Sequence, residues 1–209
     1  KSAAMEASWE THEAPAPRTL FAIPDEAAQT NHAQIDVPWL FGLMGTRSLS
    51  TEIPGIKELT AQAEQRIVNG QKAIGVLEQL RKDPANEQLR EQFLAVRDDL
   101  GFGLLLKRYT NDVNAATPEM IKQAAADTIP SVTPMFWSFR IMVGSGLAMA
   151  LVFVLGLFYS FRNEIAEKAW YLRLAVLALP LPWIASEAGW FVAEYGRQPW
   201  TIYNVLPTH

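Results

Sequence analysis

A run of 21 residues without a charged side chain lies between Arg140 and Arg162. About 20 apolar residues in a helix cross the roughly 30 Å of hydrocarbon in a bilayer. Aromatic residues, which concentrate at membrane surfaces, come directly before the run. The sequence therefore predicts a transmembrane helix over residues 135–161.

A second apolar run extends from Leu174 to Tyr195 and contains two acidic residues, Glu187 and Glu194. At about 100° per residue, seven residues return to nearly the same helix face. A carboxylate inside a membrane costs about 2.5 kcal/mol or more, so it marks a functional site by default. We predict a second transmembrane helix over residues 174–196, with both carboxylates on one face.

The connection between the two predicted helices, residues 162–173, is short and basic. Short loops rich in Lys and Arg stay in the cytoplasm, whereas long segments cross the membrane largely regardless of charge. We therefore expect residues 1–134 and a short tail, residues 197–209, on the outer side. The three basic residues of the turn are Arg162, Lys168 and Arg173.

Charge is divided unevenly along the chain. Residues 1–134 hold 13 basic and 18 acidic residues, whereas residues 135–209 hold 5 and 4 in an apolar background. This acidic balance argues against nucleic acid as a partner. The absence of cysteine excludes disulfides, thiolate zinc sites and iron–sulfur clusters. Neither end resembles a natural terminus, so we expect a piece of a longer polytopic protein.

The external part changes character near Pro54. Residues 1–55 lack sustained periodicity, apart from a short opening that suits one or two helical turns. After Pro54, apolar residues recur at intervals of three and four and predict three amphipathic helices. The predicted fold class is all-α: two transmembrane helices and an external domain that is helical in its second half.

Few side chains in the membrane segments can bind a metal or cofactor. Met142 offers a thioether, a known axial ligand of haem iron, although most membrane methionines only fill space. Arg140 can pair with a carboxylate such as a haem propionate, or simply anchor the helix at the interface. Glu194 can be a ligand or can pair with Arg197 three residues later. The three histidines, His12, His32 and His209, all lie outside the predicted membrane segments.

Three motifs resemble one known family. The stretches PMFWSFRIMVGSG and LPLPWIASEAGWFVAEYGRQPW, together with the opening KSAAMEASWE, are similar to subunit I of the cytochrome bd-type quinol oxidases. The resemblance extends through the whole chain and is most specific in FWSFRIMVG and GRQPW. It implies the long form of that subunit's quinol-binding loop.

The resemblance also implies roles for residues of the membrane part. Met142 matches the methionine that ligates the low-spin haem b, and Arg140 matches the arginine beside it. Glu194 matches the glutamate associated with the high-spin haem b near haem d. Trp190 matches a tryptophan close to the haems, and Arg197 lies where haem propionates are held. Glu187 lies in the same motif without an assigned role.

In the external part, the resemblance implies that Lys1 and Glu6 take part in quinol oxidation. The family reaction oxidises quinol on the outer side of the bacterial inner membrane and passes electrons to dioxygen, which becomes water. Residues 1–134 would then be periplasmic, and residues 162–173 cytoplasmic.

The family's histidine ligands and proton-channel acids lie in earlier helices that this sequence lacks. The expected partners are therefore the remainder of subunit I, subunit II and, as a further option, small accessory subunits. Two alternatives stay open from the residues alone. One is a quinone-binding, haem-carrying anchor without oxygen chemistry, and the other is a non-catalytic membrane scaffold.

Overall fold

The computed structural model describes residues 1–11, 18–37 and 52–208, and the chain forms two units. The larger unit comprises Lys1–Thr133 and Arg197–His209. The helical pair comprises Pro134–Gly196.

The larger unit begins with a short helix and a β-hairpin. Helix α1, Ser2–Glu6, ends at Ala7, whose φ of 50° lies in the left-handed region that commonly terminates helices. Strands β1, Arg18–Asp25, and β2, Thr30–Val37, pair antiparallel. The predicted all-α class did not include this hairpin, because two register shifts in β1 break the alternation that marks a strand.

Helices fill most of the rest of the larger unit, and two of them begin at a side-chain cap. Asn86 and Thr117 each accept a hydrogen bond from the backbone three residues on, at 3.2 and 3.4 Å. The helix that begins at Ile56 ends at Lys82. The next residue, Asp83, precedes Pro84, and a residue before a proline is biased away from helical geometry. The helices are α2, Ile56–Lys82; α3, Glu87–Val96; α4, Leu100–Leu104; and α5, Pro118–Ala126.

The core of the larger unit lies where α2 crosses α4. A Cβ atom built on Gly70 would lie 2.2 Å from the backbone nitrogen of Gly103, so the two helix backbones touch. Ile67 and Leu106 are fully buried beside this crossing. Gly70 continues α2 and permits this close packing.

The C-terminal segment packs into this core. Strands β3, Trp200–Ile202, and β4, Leu206–Pro207, form a small antiparallel sheet. Trp200 is 3% exposed, and its ring lies 4.9 Å from that of Phe102. The segment expected to be a short tail is therefore an integral part of the larger unit.

The helical pair contains two apolar stretches of membrane-spanning length. Helix α6, Val132–Phe161, has 30 residues. The returning stretch, Ala169–Tyr195, divides into α7, Ala169–Leu177, and α8, Leu181–Tyr195. It begins five residues before the predicted Leu174, and Pro180 lies at the break between its two helices.

Large apolar side chains cover the outside of the helical pair. Leu147 and Phe153 are 68% and 69% exposed. Tyr171 joins the two stretches, because its hydroxyl donates to the carbonyl oxygen of Val152 at 3.2 Å. The prediction of a mostly helical chain with two apolar helices of membrane-spanning length is confirmed.

Candidate functional site

Glu6 is a buried carboxylate in a charged pair. It is the last residue of α1, and its Oε1 lies 3.6 Å from Nε of Arg18, the first residue of β1. The two side chains are 6% and 10% exposed, respectively. Two charges removed from water are tolerated only when they compensate each other.

A hydrogen-bond network fixes the hairpin against α1. Nε1 of Trp9 donates to Oδ1 of Asn31 at 2.9 Å, and Nδ2 of Asn31 donates to the carbonyl oxygen of Ala7 at 2.9 Å. Asn31 lies on β2, while Ala7 and Trp9 directly follow Glu6. The residues that flank the Glu6–Arg18 pair are thus held by side chains as well as by the backbone.

The start of α2 holds the same segment from another side. Backbone N–H groups of Ile56 and Lys57 donate to the carbonyl oxygens of Ser8 and Trp9 at 2.8 and 3.1 Å. Nζ of Lys57 also lies 2.9 Å from Oε1 of Glu10. These bonds satisfy N–H groups that the first turn of a helix otherwise leaves unpaired.

Lys1 lies on a different side of α1 from Glu6. Lys1 directly precedes α1 and lies five positions before Glu6, a spacing of about 140° around a helix. Lys1 is exposed, whereas Glu6 is buried. The larger unit therefore combines a surface ammonium with a buried carboxylate on one short helix.

The turn of the hairpin carries two acidic residues with altered titration. Backbone N–H groups of Ala28 and Ala27 and the nearby His32 hold the pKa of Asp25 below its usual value. Partial burial acts to raise the pKa of Glu26. Hydrogen bonds from Thr133 and Ser131 lower the pKa of Glu26 by more than burial raises it. The pKa of Glu26 therefore also lies below its usual value.

Arg140 lies in the early part of α6 and contacts its own helix. Its Nη1 donates to the carbonyl oxygen of Phe136 at 3.1 Å, and its guanidinium carbon lies 3.2 Å from the centre of the Phe136 ring. The side chain is half-buried.

Met142 packs against α8 at a glycine. A Cβ atom added to Gly189 would lie 3.1 Å from Sδ and 3.7 Å from Cγ of Met142. Gly189 therefore leaves just enough room for the thioether between the two helices. Met142 itself is half-buried within the chain.

Helix α8 presents the remaining membrane candidates. Glu187 and Trp190 are exposed, Trp190 to 64%, and Glu194 is half-buried. The rings of Phe191 and Tyr195 stack at 4.8 Å and stiffen the last turn. An exposed indole and carboxylate on a membrane-spanning helix indicate a surface that contacts something other than lipid tails.

The donors of the helical pair fit one face of a haem site chemically. They are a thioether from Met142, a carboxylate from Glu194 and a cation from Arg140, all of which occur around haem iron or its propionates. Arg197 follows as the first residue of the larger unit's C-terminal segment. Among residues 1–11, 18–37 and 52–208, no cluster of three His, Cys, Asp or Glu residues would hold a metal ion alone.

The predicted site residues thus fall into two groups. Lys1 and Glu6 belong to the larger unit, while Arg140, Met142, Trp190 and Glu194 belong to the helical pair. His32 is 65% exposed and lies 3.6 Å from Asp25, whereas His12 and His209 lie outside the described residues.

Sequence reasoning missed two residues of these groups. Arg18 carries no local signal, because it lies twelve residues from Glu6 in an aperiodic stretch. Gly189 lies inside the EAGW motif, but only the structure brings it beneath Met142.

Comparison with known proteins agrees with the motifs. A family model described as cytochrome bd terminal oxidase subunit I matches residues 1–209. Cytochrome bd-II ubiquinol oxidase subunit 1 of Escherichia coli (strain K12) is 41% identical over 209 residues, which is the whole chain and 41% of that protein. Cytochrome bd ubiquinol oxidase subunit 1 of Bacillus subtilis (strain 168) is 28% identical over 208 residues and is covered to 32% of its length. The chain therefore spans less than half of these relatives, and it belongs to the cytochrome bd terminal oxidase subunit I family.

Proposed function

We propose that this chain is part of the haem-bearing subunit of a terminal quinol oxidase. In the assembled complex, quinol is oxidised at the larger unit and dioxygen is reduced to water. The observation that carries the proposal is a buried, charge-compensated Glu6 in a chain of the terminal oxidase family. Both named relatives are described as ubiquinol oxidase subunits, which makes a quinol the expected class of substrate.

Quinol oxidation releases two electrons and two protons, and Glu6 can accept a proton. A carboxylate within hydrogen-bond reach of a hydroxyl group is an effective general base. Lys1, exposed on the same short helix, supplies a hydrogen-bond donor for a quinol oxygen. The larger unit is thus the quinol-binding domain of the proposal.

The helical pair holds one side of the haem sites in this proposal. Met142 would ligate the iron of the low-spin haem b, and Glu194 would serve the high-spin haem b near haem d. Arg140 and Arg197 would pair with propionates, and Trp190 would contact the haems. When bound, the haems supply the one-electron steps between quinol and dioxygen. The histidine ligands come from the remainder of subunit I.

The proposed topology places residues 1–134 and 197–209 on the periplasmic side of the bacterial inner membrane. Residues 135–161 and 174–196 cross it, and residues 162–173 form the cytoplasmic turn. The basic turn supports this orientation. There, hydrogen bonding from Lys168 and the charge of Arg162 hold the pKa of Glu164 below its usual value. Subunit II is the expected partner, with small accessory subunits as a further option.

Oxygen uptake by the intact complex tests the proposal. With a reduced quinol as donor, we expect uptake that falls strongly in Glu6→Gln and Lys1→Ala variants. A complex that contains haem and transfers electrons but consumes no oxygen would instead be an electron-transfer anchor. A complex without haem absorbance would be a scaffold.

The ligand assignment has its own test. In a Met142→Ala variant of the intact complex, the low-spin haem b band of the reduced-minus-oxidised spectrum should be lost or shifted. An unchanged band would exclude Met142 as a ligand.

A further inference from the structure

We propose that Arg18 is a positioning residue for Glu6, which keeps that carboxylate ionised and oriented as the proton acceptor in quinol oxidation. This inference rests on the proposed function and extends it to a residue that the motifs do not include. It starts from the buried contact between Nε of Arg18 and Oε1 of Glu6 at 3.6 Å.

Burial gives this contact its effect. Exposed ion pairs contribute little, because water and salt screen both charges. The Glu6 and Arg18 side chains are 6% and 10% exposed, so each charge depends on compensation inside the protein. A guanidinium at this distance favours the charged form of a carboxylate over the neutral form.

Separate elements hold the two partners in place. Glu6 ends α1, and Arg18 begins β1, opposite Val37 of β2. Asn31 of the same hairpin bonds Trp9 and Ala7 just after Glu6. The hydrogen bonds between the hairpin and the segment after Glu6 therefore fix the distance between the two charges.

The other charged groups on the neighbouring elements have different contacts. On α2, Lys57 pairs with Glu10, and Glu58 accepts a hydrogen bond from Thr11. On the hairpin, His32 lies beside Asp25, and Asp36 accepts a hydrogen bond from Gln34. Lys1 of α1 is exposed. Arg18 lies within ion-pair distance of Glu6.

The consequence concerns the pH dependence of quinol oxidation. A base that must be ionised sets the acidic limb of a pH–rate profile. Removing a nearby positive charge raises the pKa of such a carboxylate by about one unit or more. Without Arg18, the acidic limb should therefore move to higher pH, and the fall in activity should be largest on the acidic side of the profile.

The test measures quinol-driven oxygen uptake against pH in the intact complex. Arg18→Ala should lower the rate and shift the acidic limb to higher pH by about one unit or more. Arg18→Lys restores the positive charge, so it should return the limb to its original pH. The control is Arg97→Ala, since Arg97 is 57% exposed and pairs with exposed Asp98. This control should match the unaltered enzyme at every pH.

Two further measurements separate a positioning role from misfolding. Haem absorbance reports an intact complex, and oxygen uptake with an artificial donor that reduces the haems directly bypasses the quinol site. Both should be normal in Arg18→Ala. A lowered rate with an unshifted profile, or no recovery with lysine, would overturn the inference in favour of a structural role.

Failure of the inference is distinguishable from failure of the proposed function. If Glu6→Gln impairs quinol oxidation but Arg18→Ala has the unaltered profile, Arg18 has no positioning role. If Glu6→Gln itself oxidises quinol normally, the proposed quinol site is wrong, and the role of Arg18 falls with it.

Discussion

Glu26, in the turn of the β-hairpin, accepts a hydrogen bond from the backbone N–H of Thr133 at 2.9 Å, across 107 residues of sequence. Ser131 donates its hydroxyl to the same carboxylate at 3.1 Å. Thr133 lies in the first turn of α6, where N–H groups have no partner within the helix. The hairpin that carries Arg18 is thus attached to residues 131–133 within the larger unit.

Replacing Glu26 with alanine should weaken the attachment of the hairpin to residues 131–133. The variant would remove the acceptor of the hydrogen bonds from Ser131 and Thr133. We expect faster limited proteolysis of the hairpin in the intact complex at pH 7. Glu52→Ala, which alters an exposed acid, should leave proteolysis unchanged, and equal rates for both variants would contradict a role for Glu26.

The attachment of the hairpin through Glu26 should also depend on pH. The pKa of Glu26 in the folded protein lies below its ordinary value of 4.5. Its contribution is therefore fully present above about pH 4.5 and is lost as the pH falls through the lower folded value. The difference in proteolysis between Glu26→Ala and the unaltered complex should shrink on acidification, and a difference that grows instead would refute this sign.

Gly70→Ala should destabilise the larger unit. The added methyl group would meet the backbone of Gly103, which cannot move aside as a side chain can. Overpacking of this kind costs about 1–3 kcal/mol. Thermal unfolding of the intact complex, followed by proteolysis of the larger unit, should begin at lower temperature.

Gly75→Ala is the matched control on the same helix. Its added Cβ would lie 3.2 Å from Oδ1 of Asn114, a side-chain atom that can shift. Alanine also favours a helix over glycine by about 1 kcal/mol. Gly75→Ala should therefore be neutral or stabilising, and a loss equal to that of Gly70→Ala would contradict the proposed backbone contact.

Trp200→Ala should be more damaging than its position in a terminal segment suggests. Its buried ring packs on Phe102, and removing a buried tryptophan costs about 3–5 kcal/mol. Tyr203, 71% exposed in the same segment, provides the comparison. Urea denaturation of the intact complex should separate Trp200→Ala clearly from Tyr203→Ala, whereas similar midpoints would show that the segment does not stabilise the unit.

The two apolar helices of membrane-spanning length were predictable because their signal is local. A run of 21 uncharged residues leaves few alternatives to a membrane helix, whatever the rest of the fold. The amphipathic pattern and the Asp83-Pro84 stop likewise predict α2 in nearly its observed extent. The motifs also single out Met142 and Glu6 as candidate site residues, and these assignments stay predictions.

The missed features depend on contacts between distant residues. The Glu6–Arg18 pair requires a hairpin whose irregular register hides its alternation. Burial of Trp200 against Phe102 joins residues almost a hundred positions apart. Single-sequence periodicity carries no information about either contact.

Gly189→Ala tests the packing of the proposed haem ligand. The added methyl group would press on Sδ of Met142 at 3.1 Å, so the thioether must shift by a few tenths of an ångström. We expect a displaced low-spin haem b band and a changed midpoint potential in the intact complex. Gly144→Ala is the control, since its Cβ meets none of the described residues within 4 Å. Identical spectra for both variants would contradict the packing proposed for Met142.

The most direct test of the account is anaerobic mixing of oxidised intact complex with a quinol, followed by absorbance of the low-spin haem b. The account predicts rapid reduction in the unaltered enzyme. In Glu6→Gln, reduction by quinol should be at least about tenfold slower, as expected for loss of a general base. Dithionite should still reduce the haem fully in both. Equal rates of reduction by quinol in the two enzymes would contradict the claim that quinol is oxidised at Glu6.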